Sequence, residues 1–144
     1  LDPSAELLAM AQRQGDALGR DLRLIEGSAE TIPLEDGSVD TAVMTWTLCS
    51  VPNPARALSE IRRVLKAKGE LLFVEHGAAP DRGVAAWQDR ITPLWKHIAG
   101  GCHLNRDVAG LLRGCGYALP DLRQGYMRGP RPFTFMSEGR ARPC

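Results

Sequence analysis

The sequence predicts an α/β domain: a mainly parallel sheet with helices on both of its faces. Three observations carry that prediction. Short β-forming runs alternate with helical patterns, the connections between them are short, and "ELLFVE" (70–75) is apolar almost throughout, as suits a strand covered on both sides. Ligands in such sheets bind beyond the carboxyl ends of the strands. The segments to examine are therefore Asp2 to Ser4, Glu26 to Glu30, Thr45 to Val51, and the residues from Glu75 onward.

Each element has its own signal. "PSAELLAMAQRQGDALG" offers Ser4 as a helix N-cap, with Leu7, Leu8, Ala11 and Leu18 on one face. "LRLIE" (22–26) reads as a short strand, and a polar loop runs from it through Gly37. "DTAVMTW" (40–46) reads as a second strand, rich in β-formers. "PARALSEIRRVLKAKG" (54–69) starts with proline in its first turn, carries the stripe Leu58, Ile61 and Leu65, and stops at Gly69. After the strand 70–75, the segment 83–98 places Val84, Trp87, Ile91, Trp95 and Ile98 on one side of a helix, with Pro93 set to kink it. "NRDVAGLLRGCG" gives a helix capped by Asn105, with Val108, Leu111, Leu112 and Cys115 inward and Gly116 as its stop. Two extended pieces close the chain, about 117–127 and 132–141, and Phe133 and Phe135 alternate with polar residues as in an antiparallel hairpin.

Composition removes several classes of function. The 144 residues suit one domain, 44% hydrophobic and 24% charged, with a formal net charge of +1. That charge gives no electrostatic case for nucleic acid or an anionic membrane. No apolar run approaches the roughly 20 residues needed to span a bilayer. Cys49, Cys102, Cys115 and Cys144 form no CxxC pair, so reduced thiols in the cytoplasm are expected. A zinc site using Cys102 and His103 is conceivable, but adjacent side chains rarely ligate one ion together, and no metal is expected. Arg62, Arg63, Lys66 and Lys68 are read as cations complementing a helix C-terminus, with Glu60 pairing Arg63 on the exposed face.

Asp2 stands where a strand would end and a helix begin. A carboxylate there can accept both hydroxyls of a ribose, or can act as a first-turn acid on the helix dipole; both readings stand on this residue alone. The segment "EGSAETIPLEDGSVD" (26–40) adds a Gly-Ser-Ala turn, an apolar Ile-Pro-Leu and an Asp-Gly turn into the next strand. Here the sequence resembles the class I S-adenosylmethionine-dependent methyltransferases. The resemblance continues through "VDTAVMTWTLCSVPNPARALSEIRRVLKAKGELLFVEH" and covers nearly the whole chain. It is most like the methyltransferase-like branch related to alkyl thiol methyltransferases, through "LCSV" (48–51), "EH" (75–76) and "GCHL" (101–104).

The resemblance implies a Rossmann-like class I methyltransferase sheet, mostly parallel with a C-terminal antiparallel hairpin. It implies that Asp2 holds the ribose of S-adenosylmethionine, that Ser28 and Ala29 lie against its adenine, and that Thr45, Trp46 and Thr47 line the pocket near its methionine portion. Family members often carry an acid where Ser28 stands. Glu30 and Glu35 are read as solvated loop charges. The family also opens with a strand and a glycine-rich turn, and nothing of the form GxGxG occurs here. Residues 1–144 are thus expected to be one N-terminally truncated methyltransferase domain lacking its first strand and helix, with membrane association open only through upstream sequence.

On the acceptor side, a sulfonium methyl needs little activation, and in-line displacement gains most from positioning and exclusion of water. His76 and His103 are the candidates for removing an acceptor proton; His103 could equally hydrogen-bond backbone beside Gly100 and Gly101. Trp87 and Trp95 either wall an apolar acceptor pocket or form core. Cys49 and Cys102 read as small buried fillers. The expected function is methyl transfer to a small apolar or thiol-bearing acceptor. A truncated, non-catalytic interaction module is the alternative. A nicotinamide-dependent reductase of the short-chain kind lacks its Tyr–Lys pair, since Tyr117 is followed four residues on by Asp121 and Tyr126 by Pro130.

Overall fold

A computed structural model describes residues 1–144. Its elements run α1 (Ala5–Ala17), β1 (Val39–Thr45), α2 (Pro54–Val64), β2 (Leu65–His76), α3 (Arg82–Ile98), α4 (Val108–Gly114), β3 (Tyr117–Ala118), β4 (Arg123–Tyr126) and β5 (Phe135–Pro143). A 3₁₀ turn at Arg131–Phe133 leads into β5. No helix is long and apolar enough to cross a membrane.

The sheet is mixed. β1 and β2 pair in parallel, from Thr41 opposite Glu70 to Thr45 opposite Val74. β5 lies antiparallel on the other side of β2, with His76 opposite Met136. β3 and β4 both pair antiparallel with β5, as expected for the C-terminal hairpin. Period-two alternation sends Met44, Leu71 and Phe73 to one face, where they join Leu58 and Ile61 of α2 and Val108 and Leu112 of α4. Tyr117 is buried in the same cluster, and its hydroxyl donates to the Leu58 carbonyl at 2.9 Å. The opposite face is open: Val43 is 71% exposed, and Leu72 and Val74 are half-buried. α3 packs on the loops beyond the strand ends instead, with Trp95 against Phe133 and beside Cys49, Cys102 and Leu104.

Several expectations need correction. The strand expected at 22–26 is reduced to one parallel bridge, Asp2 with Glu26, and residues 22–25 make no ladder. The helix expected to run to Gly69 ends at Val64. Leu65 is extended and pairs with Val39, and Lys66 reaches Asp40 at 2.8 Å, so tertiary pairing overrides helical propensity across "LKAKG". The N-cap of α4 is Asp107, which accepts from Gly110 N at 2.9 Å, whereas Asn105 donates to Asp89. α3 presents Gln88 and Thr92 inward, leaving Trp87 57% and Ile98 73% exposed. Gln88 is satisfied by Ala79 N, Gly77 O and Pro132 O, and Thr92 donates to Gln88 O, so hydrogen bonds rather than apolarity choose the inner side. On α1, Leu7 and Leu18 are exposed and only Gly15 is buried.

Candidate functional site

The carboxyl ends of β1 and β2 form one rim, and the Asp2–Glu26 bridge, isolated from the sheet, is tied to it through Glu30 and the start of α2. Asp2 donates its amide to the Ile25 carbonyl, and Gly27 donates to the Asp2 carbonyl, both at 3.2 Å. The carboxylate at position 2 is thereby fixed beside the Gly27-Ser28-Ala29 turn. Asp2 Oδ1 accepts from Ser4 N at 2.8 Å, and Ser4 Oγ in turn caps α1 through Leu7 N. Ser28 Oγ accepts from Glu30 N at 3.1 Å, while the Ala29 amide donates to no protein acceptor.

Glu30 ties this turn to the start of α2. Its carboxylate accepts from Asn53 N at 2.7 Å, and its carbonyl accepts from Arg56 Nε at 3.0 Å. It is a clamp, not the solvated charge expected. Glu60 and Arg63 do pair, at 2.9 Å, but as part of a second clamp on the loop after the turn. Arg63 donates to the Ile32 and Leu34 carbonyls and to Asp36, and Glu60 accepts from Ile32 N. The bond with Arg63, then that with Ile32, holds the Glu60 carboxyl down at about 2.

Beyond β1 the chain bends sharply. Trp46 sits in the left-handed region at φ 49° and is 60% exposed. A bulky residue there stores about 1–3 kcal/mol, which persists only if its surroundings fix it. They do: Trp46 N donates to the Val74 carbonyl at 3.0 Å, and Thr47 N donates to Glu75 Oε1 at 2.6 Å. Thr45 and Trp46 face solvent at the rim, and Thr47 is half-buried beside them. Glu75 is completely buried. Burial pushes its carboxyl up, while the amides of Thr47, Leu48 and Cys49 draw it down.

Of the residues expected on the acceptor side, Cys49, Cys102 and His76 converge at the end of β2. Cys49 Sγ, Cys102 Sγ and a ring nitrogen of His76 all lie within 4.8 Å of one another, with His76 Nε2 3.3 Å from Cys102 Sγ. Burial raises the Cys49 thiol to about 12 and lowers the His76 imidazole. His76 Nδ1 is buried without a partner, as is Trp95 Nε1. His103 faces the same loop from the far side: its amide donates to the Cys49 carbonyl at 2.7 Å, and its Nδ1 lies 3.2 Å from the same oxygen. Arg106 donates to the Leu48 and Val51 carbonyls, closing the loop from below.

The two cysteines are buried, as expected of fillers, yet they also gather on His76, which their separation of 53 positions conceals. Glu75 was legible only as the acid ending an apolar strand, and Arg106 gave no signal. Trp87 stands away from this cluster, exposed on the outer side of α3, whereas Trp95 adjoins it. Two larger grooves are present, the first of which reaches the rim at Thr45. One of about 530 Å³ runs over Val43, Leu72, Val74 and Arg140 on the open sheet face, and one of about 540 Å³ lies between α2 and α4. Charged and titratable groups line both, Asp121, Arg123, Glu138 and Arg140 in the first and Arg106, Asp107 and Cys115 in the second; the rim is the candidate site because it lies beyond the carboxyl ends of the parallel strands.

The model of the methyltransferase domain family matches residues 1–73. The thiol S-methyltransferase TMT1B of Rattus norvegicus is 48% identical over 76 residues, covering 52% of this chain and 31% of that protein. The ubiquinone/menaquinone biosynthesis C-methyltransferase UbiE of Methylobacterium nodulans is 34% identical over 140 residues, covering 94% of this chain and 50% of that protein. The matches thus cover 31% and 50% of the length of these relatives. Among solved structures, a SAM-dependent methyltransferase from Methanosarcina mazei superposes with a TM-score of 0.73 at 21% identity, over 99% of this chain and 79% of that one; this likeness concerns the fold. With half its length matched by the family model, the chain belongs to the methyltransferase domain family.

Proposed function

We propose that this chain carries the nucleoside-gripping and acceptor-binding rim of an S-adenosylmethionine-dependent enzyme that methylates a small, apolar or thiol-bearing acceptor. One observation carries the reading: the bridge between Asp2 and Glu26, which sets a carboxylate beside a turn with a free amide. Asp2 Oδ1 is occupied by Ser4 N, so Oδ2 is left for a ribose hydroxyl. The half-buried Ala29 amide suits an adenine ring nitrogen, and the Ser28 hydroxyl, already accepting from Glu30 N, keeps its proton for an acceptor on the base. Thr45, Trp46 and Thr47 continue the rim toward the methionine portion. In the family the methionine end is held by a glycine-rich turn, and no GxGxG occurs in these residues.

When bound, S-adenosylmethionine supplies an electrophilic methyl on a sulfonium, and the protein's task is alignment and exclusion of water. Trp95 and Phe133 supply apolar wall beside the strand ends. His103 is the proposed proton acceptor. With Nδ1–H donating to the Cys49 carbonyl, its Nε2 keeps a lone pair. His76 is less suited, because Nε2 already meets Cys102. A thiol acceptor, with an ordinary pKa near 8.5, needs only mild assistance to become a thiolate. Relatives named thiol S-methyltransferases support that acceptor class. Four free cysteines fit a reducing compartment, and the cytoplasm is the proposed location.

The test is calorimetry with S-adenosylmethionine and its demethylated product, on this chain and on the same chain joined to the leading segment of a family member. Binding by the joined form supports the reading; no binding by it removes the reading. In that joined form, His103→Asn retains a donor for the Cys49 carbonyl but no base. Thiol-methylation turnover should fall by about 100-fold with donor affinity unchanged; unchanged turnover would return His103 to a structural role.

A further inference from the structure

We propose that Cys49, His76 and Cys102 form a binding site for one zinc-type divalent cation, ligated through two thiolate sulfurs and an imidazole nitrogen. The site is independent of methyl transfer, which requires no metal and uses none of these three atoms.

The chain builds the cluster by two backbone devices. Cys49 lies in the loop after β1, whose amides are gathered by the buried Glu75 and whose carbonyls are gathered by Arg106. Cys102 is delivered by a glycine pair in the left-handed region, Gly100 at φ 58° and Gly101 at φ 83°. At φ 83°, and with an added Cβ standing 3.2 Å from the Ser50 carbonyl, Gly101 lets the second loop press closely on the first without strain. His76, the last residue of β2, projects between the two loops.

The donor set is that of a zinc site. With metal–sulfur bonds of about 2.3 Å and metal–nitrogen bonds of about 2.0 Å at tetrahedral angles, ligand atoms stand roughly 3.5–3.8 Å apart. Here all three lie within 4.8 Å of one another, with Cys102 Sγ and His76 Nε2 3.3 Å apart. Shifts of under about 1 Å per atom would therefore gather them around an ion. Two thiolates and a neutral imidazole around a dication leave the site without net charge, which suits residues that are 2% and 6% exposed. On binding, each thiol releases its proton to solvent, and a water takes the fourth position. Soft sulfur donors favour zinc or cobalt over magnesium or calcium. Small apolar fillers would account for two buried sulfurs, but not for an imidazole nitrogen brought to 3.3 Å from one of them and within 4.8 Å of the other.

Cobalt(II) is the probe, added to the reduced, metal-stripped chain. One equivalent should bind and give a near-ultraviolet thiolate-to-cobalt charge-transfer band with visible bands of tetrahedral intensity, and zinc should displace it. Cys49→Ser, Cys102→Ser and His76→Ala should each weaken binding by more than about 100-fold, whereas Cys115→Ser and Cys144→Ser should leave it unchanged. His76→Cys provides the control for misfolding: a third thiolate keeps the ion and raises the charge-transfer intensity by about half. No charge-transfer band, a band that survives loss of both Cys49 and Cys102, or a band removed by Cys144→Ser would overturn the site. So would loss of two titratable thiols to a Cys49–Cys102 disulfide with no ion bound. Because the readout is spectroscopic, its failure leaves the donor-binding test untouched.

Discussion

The two halves of the rim are held by different forces. On the side expected to hold the donor, Gly15 is the one buried residue before Met44; Asp2 and Glu26 bridge within residues 1–38, and that segment is held to the rest by two polar clamps, Glu30 with Asn53 and Arg56, and Glu60 with Arg63 on the loop from Ile32 to Asp36. On the acceptor side, Leu48, Cys49, Cys102 and Leu104 are all at most 6% exposed, and their loops close over a buried carboxylate. Burying a large aliphatic side chain stabilises by about 1.5–3 kcal/mol, whereas an exposed ion pair contributes about 0–1. The acceptor half is therefore preformed by the core. The donor half is the part that a bound nucleoside, or neighbouring chain, would do most to order.

The largest test of this contrast is Glu75→Ala. Thr47 N would lose a 2.6 Å partner inside the protein, and the Leu48 and Cys49 amides would lose the carboxyl they face. Leaving buried donors unpaired costs about 1–3 kcal/mol each, so an overall loss of about 3 kcal/mol is expected. For a domain of this size that lowers the melting temperature by roughly 10 °C. Trp46 should also relax from its left-handed conformation, visible as a change in tryptophan fluorescence. If Glu75→Ala were milder than Glu60→Ala, the division between a buried half and a clamped half would fail.

The same contrast explains what could be read beforehand. Apolar periodicity found α2, where Leu58 and Ile61 recur at helical spacing, and the run 70–75 found the heart of β2, because both signals are local. The join between them was hidden, since Val39, far back in the chain, decides that Leu65 extends. The inner side of α3 was hidden for another reason: Gln88 and Thr92 are buried by hydrogen bonds, to which a hydrophobic pattern is blind. Asp2 and the turn at 27–29 were legible as a pair only through resemblance, and the bridge between them now gives that pair a physical basis. The meeting of Cys49, His76 and Cys102 had no local trace, because it depends on a left-handed glycine pair and two long-range loops.

A middle-sized effect sharpens the donor side. Asp2→Asn keeps an oxygen for Ser4 N but replaces a charged acceptor with a neutral one. In the joined form, donor affinity should fall by about 10- to 100-fold, the scale of one charge-assisted hydrogen bond lost. The melting temperature without ligand should shift by less than about 1 °C, since the residue is half-buried and its backbone bonds remain. Calorimetry and a thermal melt on the same sample separate the two quantities. An equal fall in both would mean that Asp2 is a structural cap and not a sugar ligand.

The smallest effect tests the clamps by pH. Glu60 has a folded-state pKa of about 2, held there first by Arg63, against an ordinary value of 4.5. A depressed carboxyl contributes stability that is fully present above the unfolded pKa and is lost as pH falls through the folded one. Between pH 5 and pH 2, the native protein should therefore lose an increment that Glu60→Gln has already lost at pH 7. At neutral pH the variant should melt about 3 °C lower, corresponding to roughly 1 kcal/mol, and the two curves should converge near pH 2. Amides of residues 31–37 should show faster hydrogen exchange in the variant, while Phe73 and Leu112 stay protected, because the clamp holds only the loop that Arg63 reaches. Equal loss of protection in the core would show that the loop and the buried body unfold as one unit.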